Sequence, residues 1–186
     1  MIKKLINLSR QKEIDYHSFF DWENYNLHED QRFMDETLIS LYWLPIYDTL
    51  SEKQKKELSK LEVAQIIYCY AQSETIMCQF MWNHLVELPF ASDNFTFLIR
   101  EQIEEYRHQD MFIRALDLLW HTYLPITWFL RWQAKLSAKF LSAKRFFLLQ
   151  IIVELISDDF GKMCYENSSV NKLVQDVSKF HHIEES

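Results

Sequence analysis

The sequence predicts an all-α fold with a four-helix bundle at its core, and two observations lead to this class. The chain contains one glycine and three prolines in 186 residues, where average usage would give about thirteen and nine. Sheets and their connections need many tight turns, and tight turns favour glycine. Apolar residues also recur at spacings of three and four over long stretches. We therefore expect one helical domain over residues 1–186, with additional helices flanking the bundle.

The first elements follow from periodicity and from the residues that begin or end helices. Residues 1–28 show no sustained period and are interpreted as a loosely organised lead-in that is rich in aromatic residues. A helix is predicted over 29–44, ending near Pro45. Ser51 is followed three residues later by Gln54, and this capping-box pair predicts the start of a long helix.

The long helix is expected to form a hairpin with the helix that follows it. It should run to about Leu88, because Pro89 cannot continue it. Asp93 or Asn94 can then cap the next helix, which is predicted to reach about Tyr123.

The C-terminal half repeats this organisation. Residues 126–145 are basic and aromatic, and they are predicted to be helical in one or two pieces. A helix over 145–165 follows, and Ser168 or Ser169 can cap a last helix that runs to the chain end. Two helical hairpins, one turning at Pro89 and one at Ser168, are the skeleton of a four-helix bundle.

The charge distribution excludes a general nucleic-acid binder. The chain has 20 basic and 27 acidic residues, for a net charge of −7, whereas nucleic-acid binders are usually basic. One segment departs from this average, because residues 118–153 contain five basic residues and no acidic residue. The part of it spanning 126–147 has two interpretations. It can pack over the bundle with its lysines extended to solvent, or it can cover a functional site.

The apolar segments and the cysteines indicate a reducing, aqueous environment. The N-terminus has a basic start, but its apolar stretch is too short for a signal peptide. Charged residues interrupt segments 111–133 and 146–156, so stable membrane insertion is not expected. The three cysteines cannot all pair and are interpreted as reduced thiols, two of them buried. A cytoplasmic protein is therefore predicted.

Two acidic residues lie on helix faces that are otherwise apolar. Glu74 has Tyr70, Met77 and Cys78 one turn away on either side, and Glu154 lies inside the run FFLLQIIVELI. An unpaired carboxylate buried in such a place costs several kcal/mol. Both residues therefore need a partner, and a metal ion is a suitable one.

The two partner helices supply histidines beside further glutamates. Glu105 and His108 form an ExxH pair whose members are one helical turn apart. His181 and Glu185 are separated by four residues on the last helix, and His181 lies on its apolar face. The neighbouring His182 lies on the polar face, so His181 is assigned to the interior.

Spacing along the chain places these residues at one level. Glu74 is 15 residues before Pro89 and Glu105 is 16 after it, so both should lie roughly 23 Å from the turn. Glu154 and Glu185 are also 31 residues apart, as Glu74 and Glu105 are. Four inward carboxylates with imidazoles at one level can hold a pair of iron or manganese ions and leave positions open for O₂.

The order Glu…ExxH…Glu…HxxxE resembles the p-aminobenzoate N-oxygenase family of ferritin-like diiron enzymes, whose pattern is Glu…ExxH…Glu…HxxxExxH. The resemblance extends from the second long helix to the chain end. It implies a ferritin-like bundle that binds two Fe ions (Mn is possible) and oxidises an amine or another small organic substrate with O₂. It also implies an external electron donor and a homodimer. The metal ligands that it implies are Glu74, Glu105, His108, Glu154, His181 and Glu185, and no other side chain is assigned a catalytic role.

The resemblance departs from the family pattern at its last position. The final histidine would fall at position 188, whereas the chain ends at Ser186. The chain is therefore interpreted as truncated before this ligand. On that interpretation the two sites are unequal: one ion is held chiefly by Glu74, Glu105, His108 and a bridging Glu154, while the other is weak or absent. Residues 181–186 are then expected to be poorly fixed unless metal is present.

Two other functions stay open at the level of sequence. The chain can be a catalytically inactive or structural helical bundle that has lost full metal binding through C-terminal truncation. It can also catalyse a different dimetal reaction, such as hydroxylation or desaturation. If the basic segment covers the site, Arg131 or Lys135 can pair with a substrate carboxylate while Trp128 or Trp132 stacks on a ring. Glu101 and Asp158 are candidate acceptors for histidine N–H groups.

Overall fold

Two antiparallel helical hairpins form the centre of the fold. The computed structural model describes residues 2–11, 14–27, 31–119, 132, 136 and 142–185. In chain order its helices are α1 (Ile2–Gln11), α2 (Tyr16–Phe19), α3 (Pro45–Asp48), α4 (Glu52–Leu85), α5 (Asp93–Leu119), α6 (Ala143–Tyr165) and α7 (Lys172–Glu185), and a 3₁₀ turn spans Glu36–Leu38. α4 packs against α5 and α6 against α7, while α5 also contacts α7 and α1.

The all-α prediction is confirmed, and the described residues form no strand. An isolated bridge between Arg32 and Val170 is the one β-type pairing in this part of the chain. None of the described helices is both long enough and apolar enough to cross a membrane. The three cysteines are free thiols, and Cys78 and Cys164 are buried whereas Cys69 is exposed.

The start of α4 forms as the sequence predicts. Ser51 Oγ accepts a hydrogen bond from the Gln54 backbone N–H, and the Ser51 N–H donates to Gln54 Oε1. This reciprocal pair satisfies two of the backbone donors that a helix start leaves free. The helix ends at Leu85, slightly before the expected Leu88, and residues 86–92 connect it to α5.

The caps of α5 and α7 differ from those expected. Ser92 Oγ accepts from the Phe95 N–H at 3.2 Å, so Ser92 caps α5 rather than Asp93 or Asn94. The last helix begins at Lys172, and Asn171 Oδ1 accepts from the Leu173 N–H at 3.0 Å. Ser168 and Ser169 therefore lie in the preceding turn and do not cap α7.

The helix predicted over 29–44 is wrong for the residues that the structure describes there. The Asp35 side chain accepts hydrogen bonds from the N–H and hydroxyl of Thr37, and such local bonds compete with helical ones. Three residues before Asp35, the backbone carbonyl of Arg32 accepts a hydrogen bond from the Asn171 backbone N–H. Pro45 begins α3 instead of ending a longer helix, which suits its fixed φ and missing N–H.

The N-terminal region is more ordered than its weak periodicity indicates. α1 packs along α5, where Ser9 donates to Glu104 and accepts from Arg100. Aromatic residues around α2 pack onto Phe180 of α7, with the rings of Tyr16, Phe19 and Phe20 all within 5.7 Å of it between centroids. Tertiary contacts with aromatic residues therefore organise this region.

The bundle core consists of two apolar clusters with a polar layer between them. Along α4, Ala71 belongs to the larger cluster and Met77 to the smaller one. Along α5, Met111 belongs to the larger cluster and Leu98 to the smaller one. Glu74 lies between the two clusters on α4, as the ExxH pair does on α5.

Gly161 lies in the interior of α6, where this helix approaches α7. A Cβ added there would lie 3.6 Å from Ser178 Cβ and 3.7 Å from its carbonyl oxygen, which is ordinary van der Waals contact. We expect Gly161→Ala to raise the free energy of unfolding by about 0.5–1 kcal/mol, because alanine restricts the unfolded chain and favours the helix. Urea unfolding of both proteins measures this. A loss of stability for Gly161→Ala would show that the helices need a closer approach here.

Candidate metal centre

The six residues expected to bind metal come from four helices and meet in the polar layer. α4 supplies Glu74, α5 supplies Glu105 and His108, α6 supplies Glu154, and α7 supplies His181 and Glu185. Glu74, Glu105, His108 and His181 are all buried, with at most 7% of their surface exposed. The equal spacing in the two hairpins thus corresponds to proximity in space.

His108 lies at the centre of this layer and is fully buried. Its Nδ1 atom faces three carboxylates, at 3.6 Å from Glu74 Oε1, 3.8 Å from Glu105 Oε2 and 3.6 Å from Glu185 Oε1. These separations are longer than hydrogen bonds. Ligand atoms about 2.1 Å from a shared cation would lie roughly 3.0–3.5 Å apart, so the spacing is close to that of a metal site.

His181 extends the layer from α5 towards α6. Its Nε2 atom lies 3.4 Å from Glu74 Oε1 and 3.8 Å from Glu154 Oε2, and its ring centroid is 4.7 Å from that of His108. Glu74 Oε1 is therefore the carboxylate oxygen between the two histidines. Glu154 contacts His181 from the α6 side, and its expected role as the bridging ligand stays a prediction.

Two overlapping groups of ligand atoms can each surround an ion. Ligand atoms of Glu74, His108 and His181 lie within 4.8 Å of one another, and so do those of Glu154, His181 and Glu185. Glu105 adjoins the first group through His108. The arrangement supplies carboxylate oxygens and imidazole nitrogens, which iron and manganese accept.

Several buried polar atoms of this layer have no hydrogen-bond partner. They are Glu74 Oε2, Glu105 Oε2 and both ring nitrogens of His108. Leaving a buried polar atom unsatisfied costs about 1–3 kcal/mol, and more when the group is charged. These unsatisfied atoms belong to three residues of one buried layer, so the donor set fits cations bound there.

The charges of the layer perturb the pKa values of its members in opposite directions. Burial acts to lower the pKa of His108, but Glu74, Glu105 and Glu184 outweigh it and hold this pKa well above its usual range. Burial acts to raise the pKa of Glu74, but the two histidines outweigh it and lower the pKa. Burial raises the pKa of Glu105, and it raises the pKa of Glu185 to about 8.

Polar side chains of α6 turn inward and hold Glu154. Gln150 Nε2 donates to Glu154 Oε1, and Ser157 Oγ lies 3.3 Å from Glu154 Oε2. Both residues are buried, while the outward face of the helix is apolar and exposed at Leu148, Leu149, Ile151, Ile152, Leu155 and Ile156. Because α6 is apolar on its outer face, periodicity alone did not indicate that its polar face points inward.

Arg107 and Glu184 were not identified from the sequence, although they adjoin the site. Glu184 Oε2 lies 3.1 Å from His108 Nε2, within hydrogen-bonding distance but not aligned as a regular hydrogen bond. Arg107 donates to both oxygens of Glu184. The sequence does place Glu184 three residues after His181, on the same side of α7, and this spacing could have indicated that Glu184 lies near the site.

The two expected acceptors, Glu101 and Asp158, have different surroundings. Asp158 Oδ1 contacts His182 Nδ1, so it pairs with the histidine that was not assigned to the interior. Glu101 lies one turn before Glu105, and burial, with further contributions from Glu104 and Glu105, raises its pKa to about 7. Glu101 lines two cavities, one of which is also lined by Arg107 and the other by Glu154.

A cavity of about 510 Å³ adjoins the candidate ligands. Its apolar walls include Met77, Phe97 and Phe147, and the ligand residues that reach it are Glu105, Glu154 and Glu185. A space of this size can hold a small organic molecule. Arg131, Lys135 and Trp128 lie outside the described residues, so the prediction that segment 126–147 covers the site is not tested.

Comparison with known families agrees with this arrangement. The model of the p-aminobenzoate N-oxygenase AurF family matches residues 1–186. A search of curated proteins finds no match. The family match covers the whole chain, including all four helices that supply the polar layer. The chain therefore belongs to the p-aminobenzoate N-oxygenase AurF family.

Proposed function

We propose that this protein is a non-haem diiron oxygenase. The observation that carries the proposal is the buried layer of carboxylates and histidines with unsatisfied ligand atoms beside a cavity of substrate size. The proposed ligands are Glu74, Glu105, His108, Glu154, His181 and Glu185. Bound iron would supply the reaction with O₂ that this chemistry requires.

The side chains of the protein have separate roles in this proposal. Glu74 lies between both histidines and would hold metal together with them, while Gln150 and Ser157 orient Glu154. Met77, Phe97 and Phe147 provide apolar walls against which an organic substrate can pack. The proposed substrate is a small amine or another electron-rich organic molecule, and the electrons come from an external donor. A homodimer and a cytoplasmic location are predictions from the sequence.

Isotope incorporation tests the proposed reaction. The iron-loaded protein, chemically reduced without O₂, is mixed with a panel of aromatic amines and then exposed to ¹⁸O₂. We expect amine products that contain ¹⁸O, identified by mass spectrometry, and their absence with the metal-free protein. O₂ consumption that never yields an oxygenated product from amines or other organic compounds would contradict the oxygenase assignment.

The pH dependence of metal binding is a further prediction. The pKa values of His108 and His181 are raised, and that of Glu185 is raised to about 8. Raised pKa values mean that these groups keep their protons to higher pH, and a metal ion that binds them must displace those protons. We therefore expect the apparent affinity for Fe²⁺ to rise continuously from pH 6 to above pH 8. Anaerobic titrations at several pH values measure it, and an affinity that is flat over this range would contradict these protonation states.

A further inference from the structure

We propose that Arg107 and Glu184 are positioning residues that fix the ring of His108 so that Nδ1 is its metal-binding atom. The inference rests on the proposed function, because it concerns how one of the proposed ligands is oriented. It adds two residues that lie outside the proposed ligand set, one on α5 and one on the last turn of α7.

The two ring nitrogens of His108 face different surroundings. Nδ1 faces Glu74, Glu105 and Glu185, which are proposed ligands, at 3.6–3.8 Å. Nε2 faces away from them and lies 3.1 Å from Glu184 Oε2. A histidine that binds a metal through one nitrogen carries its proton on the other. Glu184 is therefore placed to accept the Nε2 proton and to leave Nδ1 for the metal.

Arg107 fixes the Glu184 carboxylate in this role. Its Nη2 donates to Glu184 Oε1 at 2.7 Å and its Nε donates to Glu184 Oε2 at 3.4 Å. The Glu184 side chain is only 3% exposed and that of Arg107 18%. A two-point contact of this kind sets both the position and the plane of a carboxylate. With both oxygens engaged, Glu184 is distinguished from Glu185, whose oxygen faces Nδ1.

The same contact ties the end of α7 to α5. The last carbonyl groups of a helix lack internal partners, and helix ends fray as a result. Glu184 is followed directly by Glu185, so the ion pair with Arg107 also restricts where the Glu185 carboxylate can lie. Loss of the pair should therefore loosen two of the proposed ligands, His108 and Glu185.

Metal titration of the full chain tests the inference first. The variants are Glu184→Ala, Glu184→Gln and Arg107→Gln, with Glu52→Ala as a matched control. Glu52 also pairs with an arginine, but its side chain is 63% exposed and it begins α4. We expect Glu184→Ala to weaken Zn²⁺ and Fe²⁺ binding by about 10–100-fold. Glu184→Gln should lose less, because its amide oxygen still accepts a proton from Nε2, and Glu52→Ala should match the parent.

The state of the His108 ring provides a readout that a merely structural role would not change. In the Zn²⁺-loaded protein labelled with ¹⁵N-histidine, we expect His108 to carry its proton on Nε2 and to bind zinc through Nδ1. In Glu184→Ala this N–H proton should exchange faster with water. Glu184→Gln retains an acceptor, so the slower exchange should be largely restored.

Three results would overturn the inference while leaving the proposed function standing. The first is that zinc binds His108 through Nε2. The second is that the metal affinity is unchanged in both Glu184→Ala and Arg107→Gln. The third is that Glu184→Ala loses one whole metal equivalent per chain while Glu185→Ala keeps the full number of ions. The last result would make Glu184 a ligand. A parent protein that binds neither Zn²⁺ nor Fe²⁺ would overturn the proposed function, and the inference with it.

Discussion

Replacing Glu74 with alanine is expected to abolish iron loading and to lower the stability of the metal-free protein. Glu74 Oε1 lies within 3.6 Å of both His108 Nδ1 and His181 Nε2, so its loss removes the carboxylate that would hold metal beside both histidines. In the metal-free protein these histidines lower the pKa of Glu74, which means that the ionised carboxylate stabilises the fold. Removing it leaves two buried histidines without this partner, and we expect the free energy of unfolding at neutral pH to fall.

Metal analysis and urea unfolding of the metal-free proteins measure the two effects of Glu74→Ala separately. Glu57→Ala is a suitable control, because Glu57 is exposed on the same helix. Iron loading that survives in Glu74→Ala at the level of the parent protein would show that the assignment of Glu74 as a metal ligand is wrong.

Replacing Asn171 with alanine should cause a large loss of stability. Asn171 is fully buried and caps α7 through the Leu173 N–H. Its Nδ2 also donates to the Asn26 carbonyl at 2.8 Å and to Gln31 Oε1 at 2.7 Å. Loss of the cap costs about 1 kcal/mol, and loss of each of the two Nδ2 hydrogen bonds adds about 0.5–1.5 kcal/mol. We expect a total of about 2–4 kcal/mol in urea unfolding.

Ser169→Ala is the matched comparison for Asn171→Ala. Ser169 is one of the two caps expected from the sequence, but it is exposed and bonds only to Asn167 among its described side-chain contacts. Its replacement should cost less than about 1 kcal/mol. If Ser169→Ala destabilises the protein as much as Asn171→Ala does, the cap of α7 has been placed at the wrong residue.

The positions of the six candidate ligands could be predicted because helices impose a fixed rise and period. Equal distances from a turn place two residues of an antiparallel hairpin at one level, and this holds for Glu74 with Glu105. For Glu74, an apolar helix face that contains a single carboxylate indicates that this acid points inward, whereas the apolar residues around Glu154 lie on the exposed face of α6. Their assignment as metal ligands stays a prediction.

Contacts between distant segments could not be predicted in this way. The pairing of Arg107 with Glu184 depends on how the end of α7 lies against α5, which no local pattern determines. The interactions of Asn171 with Asn26 and Gln31 likewise join segments about 140 residues apart or more. Over 31–44, hydrogen bonds of Asp35 and the pairing of Arg32 with α7 outweigh weak helical periodicity.

Anaerobic titration of the full chain with Fe²⁺ tests the central claim most directly, because the claim is that this polar layer binds two metal ions. We predict two bound ions per chain, an optical absorption band that forms only when O₂ is admitted, and neither of these with Glu74→Ala. Well under one ion per chain together with no O₂-dependent band would contradict the account and leave a structural helical bundle.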